Sequence, residues 1–473
     1  MYRSALRAVR SSRRVFLSGA LMAGASVLAA CGSAAPPTAE PAASTPAKPA
    51  ASGAASPQAA KPAAAATGQK ILSMWHGWTQ KERIEALAKM ADAFTKERSG
   101  VAPQLEVVPW DRQEAKWISN WAAGTMPDVI MQRYEEAPPM VQAGSIEAVD
   151  DLMKELGGAN TFFTAPLEQV KVDGRYVGIP WYTFSRIVYY RKDLLDEKGL
   201  KAPTTWQELD QVASALSAPN GRVGFGTALA EASAVRQYLV FWQRGNGLDF
   251  FDEKGNVTLN RPEAIEAVKA AADLARKVGG QNAAGRTGDE ATQAFLTDKS
   301  VFTIDWPAML QWIVKQAPQL IGKVDVMNFP KNKVEPAPLA FTAIFVRGAK
   351  SRVADEANSF IKFLMKDENQ IAGLHAVAGI QPVTKSVAGS PRFWENDVLK
   401  AMRPQMEKHI EFAGKAQREG FTFSRFPSNS IALNSSTLID MMGTILLNNT
   451  PVEQAVADAS KKLQGIVDEQ RKK

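Results

Sequence analysis

The apolar positions of this chain fall into three regimes, each predicting a different kind of element. Leu17 to Ala30 is a continuous apolar run behind a basic front. It is shorter than the ~20 residues of a membrane-spanning helix, and with that front it reads as a signal peptide. Gly32 to Gln69 is nearly all Ala, Pro, Ser, Thr and Gly, without an aromatic residue or a periodic apolar face. Such a stretch buries too little surface to offset its ordering entropy. It reads as a tether, extending at ~3.1 Å per residue to a limit on the order of 100 Å.

From Lys70 onward, short β-rich runs alternate with amphipathic stretches. Ile71–Trp75 predicts a strand, and Ile84, Leu87, Ala88, Ala91 and Phe94 share one face of a helix that Gly100 ends. Gln104–Val108 predicts a second strand, and a helix over Asp111–Ala123 leads through Gly124 to a third, Asp128–Met131. That alternation predicts an α/β layer with a parallel sheet. A second unit begins near Ile187–Tyr190, with helices at about Asp193–Lys198 and Trp206–Leu216 and a strand at Val223–Thr227. Helices follow at Ala264–Val278 and Val353–Met365, and two late strands are expected at Val301–Ile304 and Phe341–Val346.

The 473 residues exceed one ordinary core. If the late strands rejoin the first sheet, the chain crosses between two lobes more than once and leaves a hinged cleft. The expected division is a signal peptide over 1–30, an anchor and tether over 31–69, one lobe from 70–181 with 302–346, and another from 182–301 with 347–473. Asp128, following Pro127, is expected to fix a turn at a strand start.

The formal charge of +7 would suit a nucleic-acid binder, but Arg3, Arg7, Arg10, Arg13 and Arg14 supply five of those charges before residue 30. Their removal brings +7 to +2, and no dense basic stripe is interleaved with aromatics, so nucleic acid is not an expected partner. The single cysteine excludes an internal disulfide or a cysteine metal cluster. His76, His375 and His409 form no metal-type pair at helical spacing, and neither a metal nor a cofactor is expected. Eleven Trp are more aromatic surface than a core requires, which leaves some to face a ligand.

Ser12-Arg13-Arg14-Val15-Phe16-Leu17 resembles the twin-arginine export motif, whose route carries folded proteins; general secretion is the alternative. Leu28-Ala29-Ala30-Cys31-Gly32 resembles a bacterial lipobox, in which the cysteine is lipidated and becomes the new N-terminus. The alternative is an ordinary cleavage site with an incidental thiol, but the only cysteine of the chain falls at this one position. Acyl chains contributing ~0.8 kcal/mol per buried methylene would hold the protein to the outer face of the cytoplasmic membrane.

Several blocks resemble the carbohydrate-type extracellular solute-binding proteins of ABC importers, the family that includes maltodextrin-binding protein. Ala123-Gly124-Thr125-Met126-Pro127-Asp128-Val129 is similar to the family's Ala-Gly-x-x-Pro-Asp-Val. Asp173-Gly174-Arg175-Tyr176-Val177-Gly178-Ile179-Pro180-Trp181 resembles its crossover segment. Tyr189-Tyr190-Arg191-Lys192-Asp193-Leu194, with Pro203 and Thr205-Trp206-Gln207-Glu208-Leu209, resembles its Tyr-Tyr-Asn-Lys-Asp-Leu and Thr-Trp-x-Glu-Leu pair. Gly379-Ile380-Gln381-Pro382 is similar to a further loop. Arg191 replaces the usual Asn in what reads as a surface turn, and Asp298 replaces a usual Gly. The resemblance implies an α/β, two-lobed periplasmic-binding-protein-like fold with hinge crossovers. It also implies a monomer that closes on a small polar ligand, a sugar first of all, and delivers it to membrane permease subunits.

A sugar site needs aromatic faces for the C–H surfaces and planar polar groups for the hydroxyls. Trp75 and His76 follow the first strand, where open α/β sheets bind ligands; the alternative is a Trp capping the core with His76 at the surface. Trp181 and Tyr182 lie in the crossover, as contact residues or as hinge packing. Trp242 sits on a strongly apolar helix and is core or cleft. Asp305 and Trp306, after the return strand, are the foremost pair, with Trp306 stacking and Asp305 accepting a hydroxyl. Arg133 and Tyr134 approach the cleft or a solvated turn, and Arg425, between Phe423 and Phe426, is a polar clamp candidate. A phosphorylated polyol or another small polar solute is the alternative ligand. A secreted carbohydrate-active enzyme is the rival class, but Glu135-Glu136 and Asp150-Asp151 read as helix-start charges rather than the opposed carboxylates of a glycosidase.

Overall fold

The computed structural model describes residues 68–110, 112–218, 221–417 and 426–472. The signal run, Cys31 with its tether as far as residue 67, and Arg425 lie outside the described residues. β1 (Lys70–His76), β2 (Val101–Val107) and β3 (Val129–Arg133) are the three strands that the first periodicity predicts. β1 runs parallel to both neighbours, with Lys70 opposite Val101 and Met74 opposite Val129. Parallel neighbours need a crossover, supplied by the helices Lys81–Glu97 and Gln113–Ala123. The first buries the predicted stripe through Leu87, Ala91 and Phe94. Asp128 fixes the entry to β3: its carboxylate accepts from the Ser73 N–H at 2.8 Å and from the Ser73 and Ser351 hydroxyls at 2.7 Å.

β4 (Lys171–Val172) and β5 (Arg175–Tyr176) form a small hairpin. Its two-residue turn, Asp173-Gly174, holds both residues at positive φ, 49° and 81°, as such turns require. β6 (Ile179–Arg191) follows, 13 residues long, then β7 (Val223–Gly226), β8 (Ser300–Asp305), β9 (Val324–Met327) and β10 (Leu339–Arg347). The sheet order is β2-β1-β3-β10-β6-β8-β7, with β9 also on β6. β6 is shared: its first half is antiparallel to β10, and its second half, from Ile187, pairs with β8 and β9.

The expected start of a second unit at Ile187 is therefore the middle of a strand. All of β6 but Phe184 is buried, so it lacks the alternation that reveals a half-exposed strand. The pairing also divides the piece 302–346 expected in the first lobe, since β8 joins β6 and β7 whereas β10 joins β3 and β6. The helices Ala354–Leu364 and Asp367–His375, expected with the second lobe, lie against the helix Lys81–Glu97, and the first of them also against β10. Strand partners are non-local, and an apolar run carries no mark of which sheet half it joins. The late helices Thr437–Asn448 and Val452–Lys472 pack on Pro262–Val278, and the former also on Ala232–Gly245.

Arg191 is not in a surface turn. Its side chain is 6% exposed, donates to Asp193 at 2.8 and 2.6 Å, and forms an ion pair with Asp298. Asp298 holds φ at 61°, a left-handed conformation that Asp tolerates better than most residues, and pairs with Arg222 at 2.6 Å as well. The two departures from the family pattern thus meet each other.

Candidate ligand-binding cleft

A cavity of about 410 Å³ opens over the middle of the sheet where the two halves of β6 meet. Its floor is Tyr182 and Phe184 on β6 with Phe341, Thr342 and Ala343 on β10. One wall carries Arg83 in the first turn of the helix Lys81–Glu97, Trp110 after β2, and Arg133 and Glu135 at the end of β3. The other carries Ser233, Arg236 and Gln237 of the helix Ala232–Gly245 and Trp306 after β8; Val377, Gly379 and Ile380 close one end. A second cavity of about 330 Å³ shares Ser233, Gln237 and Trp306, and is lined further by Arg186, Glu231, Asp289 and Asp305. Trp110, Arg133, Glu135 and Trp306 stand at or just after strand ends, where open α/β sheets place ligands.

Trp306 stands between the two cavities, half-buried. Phe184 and Phe341 meet it edge-on at centroid separations of 5.0 and 5.4 Å, and the Arg186 guanidinium lies 4.8 Å over its ring. Tyr189 donates its hydroxyl to the Trp306 carbonyl at 3.1 Å and lies 2.6 Å from His409 Nε2. Two glycines permit close approaches here. At Gly77 a Cβ would fall 2.2 Å from the Trp110 ring, and at Gly379, with φ 127°, it would fall 2.5 Å from the Pro307 carbonyl oxygen. Any side chain at either position would displace part of the wall.

Of the residues expected to touch ligand, Arg133, Tyr182 and Trp306 line the larger cavity and Asp305 the smaller. Trp75, His76, Tyr134 and Trp181 line neither cavity and are buried at 4, 1, 1 and 2% exposure. Lys116 lies over the Trp75 ring, and Trp181 packs against Trp78 and Phe345. The register bears on this: β6 shifts against β10 between Ala343 and Ile344, leaving Trp181 without a partner between Pro180 and Tyr182, and Trp181 packs on Phe345 and Trp78 rather than continuing the cavity floor. Tyr182 accepts from Trp78 Nε1 at 2.9 Å. Trp242 is core, 2% exposed and packed against Trp206 and Phe329.

The carboxylate of Asp305 is engaged within the fold, one oxygen accepting from the Trp306 N–H at 2.7 Å and the other from the Thr292 hydroxyl. Burial raises its pKa against those hydrogen bonds. Its arrangement orients the backbone of Trp306 rather than offering a free acceptor. Burial likewise lowers His76 to about 4 and raises Tyr182 to about 12, so both are neutral at pH 7. Arg133 donates to Glu136 at 3.0 Å. Burial opposes the Arg133 charge, but the carboxylates of Glu135 and Glu136 raise its pKa on balance, while burial pushes Glu136 up to about 7.

Sequence reasoning missed Arg83, Trp110, Ser233, Arg236, Gln237, Phe341 and Thr342. Ser233 and Gln237 are four residues apart on the helix that carries Trp242, so they share a face, but a polar pair at that spacing also reads as a solvated one. Arg83 looks like an ordinary exposed helix residue; only its place in the first turn after β1 hints at the cleft.

Residues 89–401 match the family described as bacterial extracellular solute-binding protein. A putative ABC transporter periplasmic-binding protein of Escherichia coli strain K12 is 26% identical over 339 residues, 70% of this chain and 77% of its own length. A maltodextrin-binding protein of Bacillus subtilis strain 168 is 26% identical over 323 residues, covering 65% of this chain and 72% of that protein. Among solved structures, the sugar-binding protein MalE from Xanthomonas citri superposes with a TM-score of 0.71 at 18% identity, covering 85% of this chain and 98% of its own. Maltose-bound MalE3 of T. maritima does so at 0.67 and 23% identity, covering 84% and 99%. At these identities the superpositions establish the fold, that of two-lobed α/β binding proteins.

Proposed function

This chain belongs to the bacterial extracellular solute-binding protein family, and from that premise we propose that it captures a carbohydrate in the Trp306 cleft for an ABC importer. The observation that carries the reading is the composition of the larger cavity. Trp110, Tyr182, Phe184, Trp306 and Phe341 offer apolar faces, and Ser233, Gln237, Thr342 and the guanidinium groups offer hydrogen bonds around them. That combination suits a molecule with C–H faces and a hydroxyl rim. The maltodextrin-binding relative and the sugar-bound fold neighbours support the same ligand class. The family match supports binding without catalysis.

In this reading β6 and the connection between β9 and β10 form the hinge. One lobe gathers β1, β2, β3, β10 and the helices between 354 and 375, and the other gathers β7, β8, β9 and the late helices. Closure presses Trp306 and Gln237 toward Arg83 and Trp110, and the closed monomer is what the permease receives. Cys31 carries the lipid anchor, Arg13 and Arg14 direct export, and the Gly32–Gln69 tether lets the domain reach away from the outer face of the membrane. The test is a thermal-unfolding screen of the full chain against mono-, di- and oligosaccharides. A ligand that binds only the native state raises stability by RT ln(1 + [L]/Kd), so at about 100 times Kd the expected gain is ~2.7 kcal/mol. A midpoint unmoved by every carbohydrate would defeat the proposal.

A further inference from the structure

Three guanidinium groups line the larger cavity, those of Arg83, Arg133 and Arg236, against the single carboxylate of Glu135. Arg133 is committed to Glu136 at 3.0 Å and approaches Glu135 at 3.6 Å. Arg236 donates to the Asn434 side-chain oxygen at 2.5 Å and to the Leu433 carbonyl at 3.4 Å. The Arg83 guanidinium differs from both: it makes neither a hydrogen bond nor an ion pair with any described residue, and the Tyr182 side chain is its electrostatic neighbour. It is half-buried at the cavity wall, and that burial pulls its pKa below the ordinary arginine value.

An unpaired cation drawn out of water is costly, and the cost grows if a closing cleft removes the water that still reaches it. A neutral hydroxyl offers Arg83 one weak acceptor. An oxyanion turns the same closure into a charge-assisted, bidentate pair. The smaller cavity has the opposite balance, with Glu231, Asp289 and Asp305 against Arg186, so the cleft is basic at one end and acidic at the other. Resting on the carbohydrate reading above, we infer that the ligand is a sugar bearing a carboxylate or phosphate group, and that Arg83 receives this anion while the hydroxyl-bearing body lies toward Trp306.

The experiment is calorimetric titration of the full chain with glucose, galactose and galactobiose beside glucuronate, galacturonate, digalacturonate and glucose 1-phosphate. The inference expects at least one anionic sugar to bind more tightly than its neutral counterpart by about tenfold to a hundredfold, the range of a charge-assisted hydrogen bond. Preference for the uronates identifies the carboxylate as the source, and preference for glucose 1-phosphate the phosphate. Arg83→Gln should remove the preference, and Arg83→Lys should retain part of it. Because the Arg83 guanidinium makes no hydrogen bond or ion pair with a described residue, both variants should unfold within a few degrees of the parent, which separates lost binding from lost folding. Neutral sugars bound as tightly as their anionic counterparts, or a preference unchanged in Arg83→Gln, would overturn the inference and leave the carbohydrate cleft standing. If none of these sugars binds, the inference fails, and the carbohydrate reading is decided separately by the unfolding screen.

Discussion

Trp306→Ala separates a ligand platform from a core residue. One face of the indole lies under Arg186, and Phe184 and Phe341 meet the ring at 75°; the stacking proposal puts a sugar ring on the ring surface that these contacts leave uncovered. A pyranose covering it would remove roughly 60–100 Å² of apolar surface from water, or ~1.5–2.5 kcal/mol at ~25 cal/mol per Å². That is roughly tenfold to sixtyfold in Kd. Truncation also removes the cation–π contact with Arg186, ~0.5–2 kcal/mol, but the half-buried ring leaves a smaller cavity than a core Trp, whose loss would cost ~3–5 kcal/mol. The expected stability loss is therefore about 1–2 kcal/mol. Urea unfolding gives the stability, and calorimetric titration with the carbohydrate that most raises the parent's thermal midpoint gives the affinity. A stability loss of ~3 kcal/mol or more, with unchanged affinity in the folded fraction, would return Trp306 to the core and refute the stacking argument.

The remaining predictions reach other parts of the molecule. Burial lowers His76 and His409 to about 4 and about 3, so between about pH 4.5 and 6.5 only the unfolded chain takes up these two protons and their share of stability rises with pH. Glu136, raised by burial to about 7, keeps its proton in the fold while the unfolded carboxyl loses it above 4.5, so its share falls with rising pH through the same window. Glu136→Gln should then steepen the rise of stability by about one proton, ~1.4 kcal/mol per pH unit; urea titrations at pH 5 and 6.5 with equal slopes for parent and variant would contradict this. A double-mutant cycle on Arg191→Ala and Asp298→Ala should give a coupling of about 1–2 kcal/mol, tempered by the half-exposed Asp298, and a coupling near zero would show the pair to be incidental. Cys31→Ala should move the protein from the membrane to the soluble fraction with sugar binding intact, whereas membrane retention would rule the anchor out.

The first three strands and their crossover helices are legible because each is local and amphipathic: Ile84, Leu87, Ala91 and Phe94 repeat at helical spacing, and Gly124 marks the stop. β6 is not legible as one element, because a strand buried on both faces has no alternation to read. Sheet membership fails for the same reason at β8 and β10, whose partners β7, β6 and β3 lie far away in the chain. The candidate site was half visible. Trp306 and Tyr182 stand out as aromatics beside a strand end and in the crossover, and both line the cleft. Trp75 and Trp181 carry the same local signal, yet both are buried, Trp181 at a register shift between β6 and β10 where strand alternation breaks down. Arg83 carries no aromatic or motif signal; its significance is the absence of a counter-charge among the described residues, a property of three-dimensional surroundings alone. Arg191 and Asp298 read singly as departures from a pattern and become intelligible only as a pair.

The central claim is that the cavity on the floor of β6 and β10 is where the carbohydrate sits, and filling it is the most direct challenge. Ala308, at the start of the helix Ala308–Gln316, lines the cavity and is partly exposed, so Ala308→Trp projects a large ring into the space with little demand on the core. Calorimetric titration of this variant, with the carbohydrate that most raises the parent's thermal midpoint, should show binding weakened by a hundredfold or more, on the order of 3 kcal/mol, at an unfolding midpoint close to the parent's. Affinity equal to the parent's in that folded variant would place the ligand elsewhere and contradict the account.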